Sequence, residues 1–201
     1  IAQAIDNATA AGVLSVVSAG NEGPAPYQVG GPSTANTALS VAAVDAVSVT
    51  PGVSVVFDSG ETIAQNSNSY DFATNGAVTG ELIDVGLGCD LADYAAAAGK
   101  IAVSHRGTCD RVVRAVHGTD AGALAVIFVN NADAFPPIEG KIDGATIPFV
   151  GVSDKSGEAY DNGRIITLDA GDDIPNPAFT MFADFTSNGP RQGDSAPKPD
   201  I

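Results

Sequence analysis

Two apolar runs, Ile101–Val103 and Leu124–Val129, flank a stretch with a different period. Within it Val112, Val113 and Val116 recur at helical spacing beside polar Asp110, Arg111 and Arg114. The pattern predicts strand, helix, strand, with the valine stripe packed on a sheet. Thr108 is placed to cap the helix, and Gly118 or Gly122 to end it. Leu124–Val129 is apolar enough at consecutive positions for both of its faces to be covered.

The same reading extends along the chain. Ile1, Ala4, Ile5, Ala8 and Ala11 share one face of a helix over Ile1–Ala11, stopped by Gly12. Val13–Val17 is a short apolar strand that runs into Ser18-Ala19-Gly20-Asn21-Glu22-Gly23-Pro24. Val53–Phe57 alternates loosely, and polar Thr62–Gly76, rich in Asn and Ser, reads as a surface loop. Glu81–Val85 is a strand and Asp90–Ala98 a short helix ended by Gly99. Pro136-Pro137 and Gly140–Gly144 mark an irregular connection before the strand Ile147–Val152. Ser153 can cap a short helix through Tyr160, and Asn162-Gly163 turns the chain into the strand Arg164–Leu168. Asp169–Pro177 reads as a linker, and no internal repeat is evident.

Composition narrows the classes. The 201 residues suffice for one large or two small domains with proper cores. The 24 acidic against 9 basic residues give a net charge of −15, which repels phosphate backbones and anionic lipid. Nucleic-acid and membrane partners are therefore not expected. No run approaches the roughly 18 apolar residues of a membrane span, and no secretory leader pattern is present. The chain begins without Met inside a predicted helix, which suggests an excised fragment.

The central stretch carries a family pattern. Gly99-Lys100-Ile101, Arg106-Gly107 and Cys109 come first. Ala121-Gly122-Ala123, Val126-Ile127-Phe128 and Asn130 follow. Together they resemble the core of the protease-associated (PA) domain, and Ile147–Val152 resembles that family's next strand. The resemblance implies a small β-rich sheet or barrel with short helices. Both cysteines, Cys89 and Cys109, lie in this segment. A disulfide between them would close a loop of roughly 20 residues, contribute about 3 kcal/mol and place the chain in an oxidising compartment. Two buried free thiols are the alternative.

The turn at Ser18–Gly23 resembles the S-A-G-N-x-G segment of subtilisin-like serine proteases, with the preceding helix and a later strand Ala38–Asp45. Phe185-Thr186-Ser187-Asn188-Gly189-Pro190 and Lys198-Pro199-Asp200-Ile201 resemble two further segments of that family. By that resemblance Asn21 is the side-chain donor of an oxyanion hole, and Ser18, Ala19 and Gly20 line the substrate pocket wall. An amide at the lip of a parallel sheet can offer an N–H without adding charge. Taken alone, Gly-Asn-Glu-Gly is an ordinary turn. The family's D-x-G and H-G-T motifs do not precede this turn, and no G-T-S follows it. The chain by itself is expected to be catalytically silent.

Other candidate chemistry is weaker. Ser104 and His105 are adjacent on a strand and point to opposite faces, so they cannot form a dyad. His105 reads as a rim residue and His117 as a partly exposed helix residue. Cys89, His105, Cys109 and His117 lack the paired spacing of a zinc site, and a disulfide would consume the sulfurs. Asp169-Ala170-Gly171-Asp172-Asp173 could hold calcium, though an acidic solvated loop is the plainer account. Gly86-Leu87-Gly88 is not a dinucleotide fingerprint, and no phosphate loop is present.

The expected architecture is α/β, mixed with α+β. Residues 1–46 and 179–201 are strand and helix pieces of a subtilisin-like parallel α/β fold, and residues 47–178 are the PA domain with an N-terminal extension. The expected function is that of the middle of a secreted or cell-surface serine endopeptidase acting on proteins or peptides, with no cofactor and no metal. The partners are its substrates, the rest of its own catalytic domain and, through exposed strand edges, a second copy in a homodimer. The alternative is a non-catalytic binding or scaffolding module built on a PA domain. A metallopeptidase with the same accessory domain would lack the flanking motifs.

Overall fold

The computed structural model describes residues 1–157 and 159–201. It comprises two compact units, one formed by Ile1–Ser48 with Asn176–Ile201 and the other by Val49–Pro175.

In the first unit, helix α1 (Ala2–Ala10) leads into strand β1 (Val16–Ser18), which pairs in parallel with β2 (Leu39–Val41). Gly12 takes φ +90° just past the helix, as a stop residue must. The core face expected on this helix is not formed, since none of its residues is buried. The predicted strand is also shorter, and Val13, Leu14 and Val16 are exposed. Two strands cannot cover both faces of an apolar run. The strand expected over Ala38–Asp45 ends at Val41, and Val44 makes a single antiparallel bridge to Phe182.

The second unit is a closed seven-strand barrel. Its strands are β4 (Gly52–Phe57), β5 (Gly60–Asn66), β6 (Val78–Asp84), β7 (Ile101–His105), β8 (Ala125–Val129), β9 (Phe149–Val152) and β10 (Ile165–Ala170). The order around the barrel is β10-β4-β5-β9-β8-β7-β6. β6 through β9 run parallel, and β4, β5 and β10 close the ring antiparallel. Closure pairs every edge that an open sheet would leave free. β3 (Val49–Thr50) pairs with β11 (Ile174–Pro175), so the predicted linker Asp169–Pro177 begins inside β10 and contains β11. This is the mixed α/β architecture that the sequence predicts, with its β-rich sheet closed into a barrel beside a few short helices.

Alternation along the strands builds two cores. Val53, Val55, Leu82, Ile101, Val103, Ile127, Val150, Ile166 and Leu168 fill the barrel. Ala102, Val126, Phe128 and Phe149 point outwards under helix α3 (Arg111–Asp120) and a 3-10 turn (Leu91–Tyr94). β8 is thus covered on both faces, as its unbroken apolar run requires.

Several local expectations need correction. Helix α3 starts after Asp110, not under a Thr108 cap, and Gly118 lies inside it while Gly122 (φ +74°) follows its end. Its buried residues are Arg114, Ala115 and Gly118, whereas Val112 is exposed and Val113 and Val116 are half-buried. A Cβ on Gly118 would stand 2.3 Å from Val126, so the small residues bring the helix close to β8 and rotate the valines outwards. The segment read as a surface loop, Thr62–Gly76, supplies β5 and buries Asn66, Ser67 and Asn68. Burial is tolerated because the amides replace backbone partners: Asn66 bonds both Tyr70 N (2.9 Å) and O (2.8 Å), and Asn68 bonds Ile147 O (2.9 Å) and Phe149 N (3.0 Å). Asp90–Ala98 contains only the 3-10 turn, capped through Asp93 onto Asp90 N. Ser153 accepts from Ser156 N at the start of helix α4 (Asp154–Gly157); of the helix expected through Tyr160, Glu158 lies outside the described residues. A short helix α2 (Phe72–Asn75), capped by Asp71, was not foreseen.

Cys89 and Cys109 form a disulfide with a Cα–Cα distance of 5.7 Å and a sequence separation of 20. In urea melts, reduction or C89S is expected to lower the stability of the chain by about 3 kcal/mol. An unchanged midpoint would show that the bond does not constrain the unfolded chain.

Candidate functional site

β1 delivers the chain to the turn at Gly20–Gly23. Ala19, buried, donates its N–H to Val41 O at 2.8 Å, which ties the turn's root to β2. Gly20 then takes φ +110°, a conformation that a side chain would strain. Asn21 is exposed, and its amide makes no hydrogen bond among the described residues. Ser18 is exposed and Gly20 half-buried beside it. The four residues singled out from the sequence therefore lie together, around one open amide.

The turn is held by residues about 165 positions away. Ser187 N donates to Gly20 O at 2.9 Å, and Glu22 N donates to Ser187 Oγ at 3.0 Å. Gly23 N donates to Phe185 O at 2.9 Å, and a Cβ on Gly23 would lie 1.9 Å from Thr186 O. Only glycine permits that approach. Beyond the turn, Asn188 Nδ2 donates to Pro24 O at 2.6 Å and Gln28 N to Asn188 O at 2.9 Å.

The Phe185–Ser187 strip is itself registered on the chain leaving β2. Asp45 N donates to Met181 O at 2.9 Å, Thr180 N to Asp45 O at 2.7 Å and Ala183 N to Ala43 O at 3.0 Å. Ala43 N completes this antiparallel series by donating to Thr186 Oγ1 at 3.0 Å. On the other side of β2, the buried Lys198 donates to Ala38 O (2.7 Å) and to Asp200 Oδ2 (2.6 Å), and Ser40 N donates to the same carboxylate oxygen (2.7 Å). The Lys198 ammonium first and the Ser40 amide second hold the Asp200 carboxyl below the usual carboxylate range. A concavity of about 550 Å³, lined by Pro24, Pro26, Phe182, Lys198 and Ile201 among others, opens beside these residues.

Sequence reasoning recognised the Phe185–Pro190 and Lys198–Ile201 segments but gave no role to Thr186, Ser187, Lys198 or Asp200. Their one signal is polar residue types inside those segments; which backbone groups they meet depends on pairing across the whole insertion.

The remaining candidates are dispersed. Ser104 is fully buried and donates to Ile127 O at 3.3 Å, while half-exposed His105 places Nε2 3.4 Å from Asp84 Oδ1. His117 packs edge-on against Tyr94, ring centroids 6.1 Å apart. Asp169 lies on β10 and accepts from Ala170 N at 2.7 Å. No group of three His, Cys, Asp or Glu able to hold a metal ion occurs among the described residues. No helix among them is long and apolar enough to cross a membrane.

Residues 78–160 match the family model of the PA domain. The chain is 31% identical over 211 residues to the minor extracellular protease Vpr of Bacillus subtilis, a match covering 98% of this chain and 25% of that protein. It is 36% identical over 93 residues to aminopeptidase YwaD of the same organism, covering 45% of this chain and 20% of that protein. The chain thus spans no more than a quarter of either relative. Among solved structures, the zinc aminopeptidase BSAP from Bacillus subtilis superposes with a TM-score of 0.49 at 25% identity, over 68% of this chain and 33% of that one. A PA domain is therefore present, in a chain whose relatives are peptidases.

Proposed function

We propose that this chain is the central part of a secreted subtilisin-like serine endopeptidase, with Asn21 as the side-chain donor of its oxyanion hole. One observation carries the reading: an exposed amide, unpaired among the described residues, on a glycine turn at the end of a parallel strand and clamped by the Phe185–Pro190 segment that resembles the same family. In peptide-bond cleavage a serine attacks the carbonyl carbon and negative charge gathers on its oxygen. Asn21 Nδ2–H, held in place beforehand, stabilises that charge as it forms. Ser18 and Gly20, with the backbone of buried Ala19 between them, form a wall of small residues along which substrate backbone can lie. The nucleophile, base and orienting carboxylate belong to segments beyond this sequence, and exposed Val13, Leu14 and Val16 are the surface that those parts of the catalytic domain cover. The PA domain, residues 47–178, modulates substrate access, protein-substrate binding or subunit contact.

A metallopeptidase reading is less favoured, because the aminopeptidase match covers 45% of this chain whereas the extracellular protease match covers 98%. A non-catalytic module leaves the open amide of Asn21 without a purpose. A serine-directed fluorophosphonate separates the readings: residues 1–201 alone are expected to remain unlabelled, while the full-length protein is labelled at one serine outside them. Stoichiometric labelling of a serine within this chain, or no labelling of the full-length protein, overturns the proposal.

A further inference from the structure

We infer that Ser187 is the positioning residue of the oxyanion hole: it fixes the backbone on both sides of Asn21 and so sets where the amide points. This rests on the assignment of Asn21 above. Ser187 N–H donates to the carbonyl of Gly20, which belongs to the peptide unit entering Asn21. Ser187 Oγ accepts from the N–H of Glu22, which belongs to the peptide unit leaving Asn21. One residue therefore holds both peptide planes that meet at the Asn21 Cα. Because those planes define φ and ψ of Asn21, they also fix the direction of its Cα–Cβ bond.

Three further observations support a dedicated fit. Ser187 is fully buried, so water cannot stand in for its hydroxyl. Gly20 leaves the space the hydroxyl occupies, since a Cβ there would lie 2.7 Å from Ser187 Oγ at a strained φ of +110°. Thr186 is buried and anchored to Ala43 N, so Ser187 is not free to follow the turn if the turn shifts. An oxyanion donor contributes only when its N–H is already aimed at the developing charge, and a small misplacement removes much of its effect. Asn21 itself is exposed and has no partner among the described residues to aim it. The aim must come from its backbone.

The test is a double-mutant cycle in the full-length protease, with kcat and KM measured for a peptide substrate. Ser187→Ala is expected to lower kcat roughly 10-fold, the equivalent of one hydrogen bond, with KM within about twofold. A peptide boronic acid, which forms a tetrahedral adduct, loses affinity by the same factor, and Ser187→Cys, a weaker acceptor, falls between. In an Asn21→Ala background Ser187→Ala adds nothing, because the group it aims is gone. In the full-length protein, Ser187→Ala speeds hydrogen exchange at the Glu22 amide, a readout that needs no activity. Multiplicative effects of the two substitutions, or an unchanged kcat for Ser187→Ala beside an impaired Asn21→Ala, overturn the inference and leave the function standing. An Asn21→Ala enzyme of full activity overturns both.

Discussion

With Asn21 as the oxyanion donor proposed above, Asn21→Ala in the full-length protein is expected to lower kcat for peptide cleavage by about 100- to 1000-fold, the loss that follows removal of one such donor. KM should change little, because the amide meets charge that exists only as the carbonyl is attacked. The folded structure gives no reason for a compensating loss of stability: Asn21 is exposed, and its side chain contributes no hydrogen bond among the described residues. Urea melts of wild type and variant should therefore coincide. A raised KM with kcat unchanged would place Asn21 in substrate binding and remove it from the chemistry. Asn21→Asp tests the same point through charge, since a carboxylate accepts and cannot donate at neutral pH, and its loss should be at least as large.

Arg114→Met is expected to destabilise the barrel by about 3–5 kcal/mol, read from the urea midpoint. Arg114 is fully buried on helix α3. Its guanidinium donates to Leu87 O (2.8 Å), Cys109 O (3.2 Å), Asp110 O (3.0 Å) and His105 O (3.1 Å), and its Cζ lies 5.0 Å from the centre of the Phe128 ring. Methionine keeps most of the volume and supplies none of the donors, so the loss measures the carbonyls left unpaired. Burial pulls the guanidinium below its ordinary pKa, which is the cost these hydrogen bonds offset. Arg114→Lys should recover only a fraction, since an ammonium cannot reach four acceptors in a planar fork. Arg114 joins the same two segments as the disulfide, Leu87–Cys89 and Cys109–Asp110. The loss from Arg114→Met and the loss from reduction should therefore be non-additive. Simple addition would show that the two ties act independently.

The contrast between these residues shows what was legible beforehand. Asn21 could be singled out from the sequence because the resemblance that proposes its role rests on a short contiguous turn, Ser18–Gly23, placed after an apolar run. Arg114 gives no such signal: in the sequence it is one polar residue, with Asp110 and Arg111, beside a valine stripe. Its burial depends on four carbonyls, of Leu87, of His105 at the end of β7, and of Cys109 and Asp110 at the start of its own helix, and no period along the chain reports that. The same limit applies to Asn66 and Asn68, which a polar composition places in a surface loop but whose amides are buried and pair with backbone groups.

The sequence by itself determined strands at Ile101–Val103 and Leu124–Val129, observed as Ile101–His105 and Ala125–Val129, the helix between them and the two-sided burial of the second, because hydrophobic period reports which faces leave water. It also determined which cysteines were available to pair, since there are only two. Only the tertiary structure decided that the sheet closes into a barrel, that helix α3 buries Arg114, Ala115 and Gly118 in place of its valines, and that Ser187 grips the turn at Asn21. Each of these depends on hydrogen-bond acceptors or packing surfaces brought together from distant positions. A polar side chain carries no mark of whether its partner will be water or a backbone group about 165 residues away.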